Sequence, residues 1–490
     1  MAPGDDRRLP AAMLAVALAA FLSAIAGIDA RATYGARVTA DEPQYLITAI
    51  SIGEDASLDV SDELAEERFL PFHEIQLNPQ TIELNDEGRR VSPHDPLLPL
   101  LLAVPMLLGG WVGAKLALAV CAAAVAVLTL RLAVDRLGAP LGPATAVVAG
   151  FAMAPPLSVY GVQVYPAMPA ALCVLAGALA VTAPTAPNGG GSGAARTGVD
   201  RATVVTVIAV VALPWLSVKY VPLAAVLALA GLWRSWAADR RLPVGTLAAY
   251  GVAGVSYLAI HRWLYGGWTV YAAGDHFVNG EFLVVGYAPN YPGRSRRLIG
   301  LLVDRNFGLI AWNPAFLALP PALVWLARSA RPGRHVLLAA FAVSWITATW
   351  IAFTMHGWWW PGRQVVPVLP LVVAAIAGAI GHHRRALTGV LVGCGLGIAS
   401  WLLLAWEAST DRRTLIVDFA DTPNPWYQLW RRVLPDHQRI ATADVVLTVV
   451  WVVLVLAVVA VTARRLRSTA PAAPPDPSSE PLVGAGDVSP

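Results

Sequence analysis

Pro96-Leu-Leu-Pro-Leu-Leu-Leu-Ala-Val-Pro-Met-Leu-Leu108, closed by Gly109-Gly110, is the stretch on which the topology of the chain turns. It is apolar throughout but only about thirteen residues long, where a helix needs ~20 to cross the hydrocarbon core. Two glycines then stop it. It therefore reads as a half-inserted or surface helix on the outer side of a membrane. The positive charges test that reading. With 97–109 kept outside, Arg131/Arg136, Arg196/Arg201, Arg234/Arg240/Arg241, Arg328/Arg331/Arg334, Arg384/Arg385 and Arg464/Arg465/Arg467 all fall in cytoplasmic segments. Counting 97–109 as a crossing inverts every later loop and destroys the pattern.

Outward from that stretch, the rest of the chain reads as membrane. Of 490 residues 57% are hydrophobic and only 14% charged, well below the roughly 25% of soluble domains, and the mean hydropathy is +0.58. Apolar runs near 11–28, 112–134, 139–157, 166–183, 203–217, 219–233, 243–264, 306–327, 336–355, 363–381, 386–407 and 441–463 predict an all-α polytopic membrane protein of about twelve transmembrane helices. Arg7 and Arg8 precede the first run and hold both it and the N-terminus as a retained signal-anchor, although Ala30-Arg-Ala32 also resembles a cleavage site. Both termini are then cytoplasmic. The transmembrane domain covers 1–467. Its first outer loop, 31–110, carries juxtamembrane helices, with amphipathic segments between Ile47 and Phe72 lying on the membrane surface. A Gly-rich stretch at 184–201 reads as a flexible cytoplasmic linker, and 468–490 as a disordered cytoplasmic tail. The linker glycines lack the Gly-Lys-Ser/Thr of a phosphate loop. Cys121, Cys173 and Cys394 lie inside apolar runs and define no disulfide. With net charge +3 scattered over loops, nucleic acid is not an expected partner.

Charge beside hydrocarbon must be solvated, paired or used, and the outer side collects several such groups. Val38-Thr-Ala-Asp-Glu-Pro-Gln-Tyr45 sets Asp41 and Glu42 where the first span ends, either as a solvated loop start or as a general base toward a hydroxyl acceptor. Arg89-Arg-Val-Ser-Pro-His-Asp-Pro96 puts His94 and Asp95 at the start of the short helix, where an imidazole serves as a structural donor or meets an acceptor, a carboxylate or a metal. Lys115 and Lys219 are the only lysines. Lys219 falls on a tight outer turn, where an ammonium either snorkels or meets an anion such as a lipid-linked phosphate. His356-Gly-Trp-Trp-Trp-Pro-Gly-Arg363 places Arg363 at the N-terminal end of the next helix, a position suited to an anion. Its tryptophans, Trp358 among them, belong to the interfacial belt or stack on a sugar. Asp304 and Arg305, in Asp-Arg-Asn-Phe-Gly308, pair with one another or serve the site. His-Glu-x-x-His, paired Cys-x-x-Cys and Gly-x-Ser-x-Gly patterns are absent, so zinc-protease and serine-hydrolase templates fail.

Asp41-Glu42-x-x-Tyr45 after a first span, then Ser92-Pro-His-Asp-Pro-Leu97 opening a short helix, resemble the membrane glycosyltransferases of the GT-C class. The likeness is to the protein O-mannosyltransferase-like and lipid A aminoarabinose transferase-like group, including a bacterial subgroup similar to glycosyltransferase family 39. Val218-Lys219-Tyr220 and Pro361-Gly-Arg363-Gln364 occupy later motif positions, with Gln364 where an aromatic is usual. The resemblance implies the GT-C fold, a polyprenyl-phosphate sugar donor, and inverting transfer at the outer face of a bacterial plasma membrane. A cell-envelope glycan, lipid or protein would be the acceptor. It implies Asp41 as base, with Glu42 as its partner or a metal ligand; the choice between the two carboxylates stays open. Lys219 and Arg363 would hold the leaving phosphate. Tyr45, His94, Asp95, Asp304, Arg305, His356 and Trp358 would line the substrates. A divalent cation such as Mg or Mn, on Glu42 or His94, is compatible with the motifs and not required by them. The alternative, a multispan transporter or lipid flippase, calls for charges at mid-depth and internal symmetry, and no repeat is visible in the chain.

Overall fold

The short stretch at 97–109 folds back. The structure, a computed structural model, describes residues 5–83, 88–184, 200–270, 290–352, 354–381 and 383–468. A helical segment runs over Leu97–Arg131, but Gly109 (φ −143°) and Gly110 (φ +57°, ψ −154°) break it. Unbroken and continued to Arg136, its 40 residues would extend to roughly 60 Å, about twice the hydrocarbon core. Gly110 takes a conformation open to glycine and costly for other residues. Gly113 then lets the two halves close on each other: a Cβ there would stand 2.2 Å from the Pro105 carbonyl oxygen.

The chain is an all-α, multi-pass membrane protein. Its only sheet among the described residues is a two-stranded ribbon, Ile82–Glu83 against Arg90–Val91. Seven described helices are long and apolar enough to cross a membrane, and five shorter apolar ones accompany them. Each apolar run expected from the sequence overlaps one of these helices. Residues 185–199 of the expected linker and 469–490 of the expected tail lie outside the described residues.

The helices sort by how they bury. Leu369–Ile380 is apolar on every side, and its residues 369–377 are all buried, as a helix at the centre of a bundle must be. Around it pack Leu97–Arg131, Leu141–Met153, Ala167–Val181 and Leu319–Arg328. Thr442–Ser468 lies at the rim with no buried residue in its apolar window, a surface suited only to lipid.

The 26–96 loop sits on one end of this bundle. Glu42–Asp55 forms its main helix, packed on Leu97–Arg131. Of the segments between Ile47 and Phe72 expected to lie on the membrane surface, residues 47–51 are instead buried in protein. The loop is also stitched to residues 410–441. The amides of Leu415 and Ile416 donate to the carbonyls of Arg31 and Ala32, 2.8 and 3.0 Å away, and Tyr34 donates to Asp418 over 2.6 Å. Lys115, buried within the membrane helix, donates to the carbonyls of Ile28 (3.0 Å) and Arg37 (3.1 Å). An unpaired lysine at such depth would cost ~3 kcal/mol; here it ties down both ends of the chain that leads to Asp41.

Candidate active site

Ala40, with φ +54°, turns the chain immediately before Asp41, a left-handed conformation that a residue with a Cβ adopts only when its surroundings enforce it. Asp41 then stands at the N-cap position of the helix Glu42–Asp55, without a capping hydrogen bond from its side chain, and Pro43 lies in the first turn. The two adjacent carboxylates diverge from that point. Glu42 is 1% exposed, and its oxygens accept the backbone N–H of Val164 (2.8 Å) and of Thr39 (3.4 Å). Burial pushes its carboxyl well above the usual range, against the opposing pull of Lys115 and the two N–H groups. Asp41 keeps 22% of its side chain exposed and meets the Arg363 guanidinium, Nη2 to Oδ2, at 2.5 Å. Burial works to raise its carboxyl, but Arg363, His94 and Lys219 outweigh it and hold it at about 2.

Arg363 is clamped by aromatic faces, its Cζ 4.0 Å from the Tyr165 ring centroid and 4.8 Å from that of Trp359. Such stacking fixes the plane of the guanidinium. Its Nε has no hydrogen-bond partner among the described residues. The helix expected to begin at Arg363 begins later: a 3₁₀ turn at Val366–Val368 leads into Leu369–Ile380. Arg363 therefore owes its place to Asp41 and the two rings.

His94 stacks on Tyr45, ring centroids 4.7 Å apart. Lys219 lies in the 3₁₀ turn Val218–Tyr220, its Nζ 5.2 Å from the Tyr220 ring, and has no carboxylate within ion-pair distance among the described residues. Asp95, 4% exposed, accepts from the backbone N–H of Val218 (2.9 Å) and the Tyr257 hydroxyl (3.0 Å), with His261 Nε2 also 3.0 Å away. Tyr265 donates to the His94 carbonyl at 3.1 Å. Asp41, Glu42, Tyr45, His94, Asp95, Lys219 and Arg363 thus belong to one linked cluster.

Asp304, Arg305 and His356 belong to a second cluster. The expected pairing of Asp304 with Arg305 does not occur. Buried Asp304 accepts the backbone N–H of Asn306 (3.0 Å), Phe307 (2.7 Å) and His437 (3.0 Å), with His356 Nε2 3.6 Å from its Oδ2. Arg305 turns instead to Asp444 (3.3 Å) and Asp436 (3.7 Å). The Asp-Arg-Asn-Phe-Gly motif therefore anchors the 410–441 segment. Trp358 is 60% exposed. Both Glu42 oxygens accept backbone N–H groups, which makes that carboxylate a poor candidate for a metal ligand. The only described trio of potential ligands within 4.8 Å of one another is Asp55, Asp62 and Glu63, at the far end of the helix from Asp41.

Sequence reasoning passed over Tyr165, Tyr257, His261 and His437, and it read Trp359 with its neighbours as a belt or sugar-stacking residue, where the structure lays it on Arg363. Tyr257, His261 and Tyr265 were detectable as polar aromatics spaced four apart along one face of an otherwise apolar span. Tyr165 carried no such pattern.

No family model matches the chain, and no curated protein matches it. Solved structures do. The crystal structure of ArnT from Cupriavidus metallidurans bound to undecaprenyl phosphate is similar over 96% of this chain and 73% of that one, with a TM-score of 0.51 and 17% identity. The same protein in its apo state gives a TM-score of 0.48 and 18% identity, over 93% of this chain and 71% of that one. The similarity to the undecaprenyl phosphate-bound structure is one of fold: the chain shares the all-α, multi-pass GT-C architecture.

Proposed function

We propose that the chain is an inverting glycosyltransferase that moves a sugar from a polyprenyl phosphate to an acceptor hydroxyl at the outer face of a bacterial plasma membrane. The Asp41–Arg363 contact carries this reading. It sets a carboxylate that is partly open to solvent against a clamped guanidinium whose Nε is unbonded, with Lys219 near enough to act on the same carboxylate. The ArnT structure with bound undecaprenyl phosphate supports a lipid phosphate as the anion these cations await.

The chemistry follows from those groups. The acceptor oxygen attacks the anomeric carbon while the bond from that carbon to the phosphate oxygen breaks. The acceptor proton goes to Asp41, and the electron pair leaves with polyprenyl phosphate, whose added charge Arg363 and Lys219 stabilise. Asp41 is the more accessible of the two acids to an acceptor, since Glu42 is 1% exposed and both its oxygens already accept backbone N–H groups. Donor binding also activates it. A phosphate that draws Arg363 toward itself removes the strongest counter-ion of Asp41, and burial then raises the carboxyl from about 2 toward a range where it accepts a proton usefully.

Asp41→Asn is the direct test. Purified protein with a polyprenyl-phosphate sugar and the cognate acceptor should lose about 10²–10⁴-fold in kcat, with melting temperature and elution profile retained. Undiminished turnover rejects Asp41 as base. Lys219→Ala should raise the donor KM and leave the acceptor KM unchanged; wild-type donor kinetics would remove its phosphate role.

A further inference from the structure

The helix Val244–Tyr265 is mostly exposed, and only Tyr257, His261 and Tyr265 along it are buried. They are spaced four apart, so they share one face. That face meets the Ser92–Leu97 segment at two adjacent residues. Tyr265 donates to the His94 carbonyl at 3.1 Å. Tyr257 donates to Asp95 Oδ1 at 3.0 Å, and His261 Nε2 lies 3.0 Å from the same oxygen. The other carboxylate oxygen of Asp95 accepts the N–H of Val218, 2.9 Å away, the residue before Lys219.

A fully buried imidazole on a lipid-side helix needs a reason, because an unmatched polar group there is costly. Its ring finds one in Asp95: Nε2 reaches the carboxylate while Nδ1 lies 2.8 Å from the Tyr257 carbonyl. One carboxylate thereby joins three pieces of chain, namely the His94 segment, the Lys219 turn and the helix Val244–Tyr265. We infer that Tyr257, His261 and Tyr265 form a positioning strip that, through Asp95, sets the Lys219 turn for the donor phosphate. None of the three is a catalytic residue. They act through Asp95 on a backbone N–H one residue from the ammonium. Asp95, expected from the resemblance to line the substrate, has both its oxygens engaged within the protein and acts as the joint. The inference rests on the donor role of Lys219 proposed above.

His261→Leu and His261→Gln test it, since Gln keeps an N–H directed at Asp95. Binding of undecaprenyl phosphate by detergent-purified full-length protein is read by titration, and donor and acceptor kinetics are measured in parallel. His261→Leu should weaken undecaprenyl phosphate binding and raise the donor KM by about tenfold, the size of one hydrogen bond to a charged group. The acceptor KM and kcat should stay within about twofold, and His261→Gln should recover most of the affinity. Wild-type lipid affinity in His261→Leu overturns the strip. So does a variant in which both KM values, kcat and melting temperature fall together and Gln does not rescue. A wild-type protein that binds undecaprenyl phosphate but transfers no sugar sinks the glycosyltransferase reading alone, because the binding arm still reports on the strip. Absence of lipid binding by the wild type overturns both.

Discussion

Two neighbouring carboxylates of the same chemistry end up with opposite properties because their partners differ in kind. Glu42 faces backbone dipoles and a buried lysine, and burial prevails. Asp41 faces a full guanidinium charge in contact, and the charge prevails. The folded value for Asp41 lies below its usual one, so its charged form persists as pH falls until about 2. Arg363→Gln removes the principal opposing charge, and protonation of Asp41 then moves to higher pH. At a lower overall rate, kcat/KM in that variant should decline on acidification from about pH 7 to 5, where the wild type stays flat with respect to Asp41. Matching profiles for the two proteins would mean that Arg363 does not govern the base.

At the scale of elements, the break at Gly109-Gly110 and the short connections around Asp55–Glu63 set how the loop helix meets the bundle. Gly113→Ala places a methyl group against the Pro105 carbonyl, with backbone on both sides and nothing flexible to yield. It should lower the melting temperature by several degrees, the usual consequence of overpacking by about 1–3 kcal/mol; an unchanged melt would show that the two halves can part freely. Glu63 offers a pH test. It is buried, with Asp62 beside it, and its carboxyl is pushed up to about 7 from 4.5. Its contribution to stability is therefore complete below about 4.5 and lost as pH rises through 7. Glu63→Gln should flatten the fall in melting temperature between about pH 5 and 8. A wild-type slope retained in the variant would assign the pH dependence to other groups.

At the scale of the whole molecule, the arginine pattern that places 97–109 outside the crossings also predicts an orientation. Glu66, exposed in the 26–96 loop, and Ala330, exposed between Leu319–Arg328 and Arg334–Ile346, should lie on opposite sides of the membrane. Glu66→Cys should react with an impermeant maleimide on intact cells and Ala330→Cys only after lysis. Equal reactivity of both from outside would invert or void the topology.

What the sequence determined by itself was the membrane class, the place of each apolar run, the break after Leu108 and the GT-C resemblance. These depend on local composition: span length is counted along the chain, and glycine ends a helix wherever it stands. It also pointed to Asp41, His94, Lys219 and Arg363, because a charge beside hydrocarbon is conspicuous in any arrangement. Only the tertiary structure decided who meets whom. Asp41 and Arg363 are 322 residues apart, Glu42 is held by a backbone N–H 122 residues away, and Asp95 meets a histidine 166 residues on. Asp304 and Arg305, adjacent in sequence, turn to different partners in the 410–444 segment. A carboxylate takes its character from its distance to the nearest charges and from the water it has lost. Both are properties of packing, which no single stretch of sequence carries.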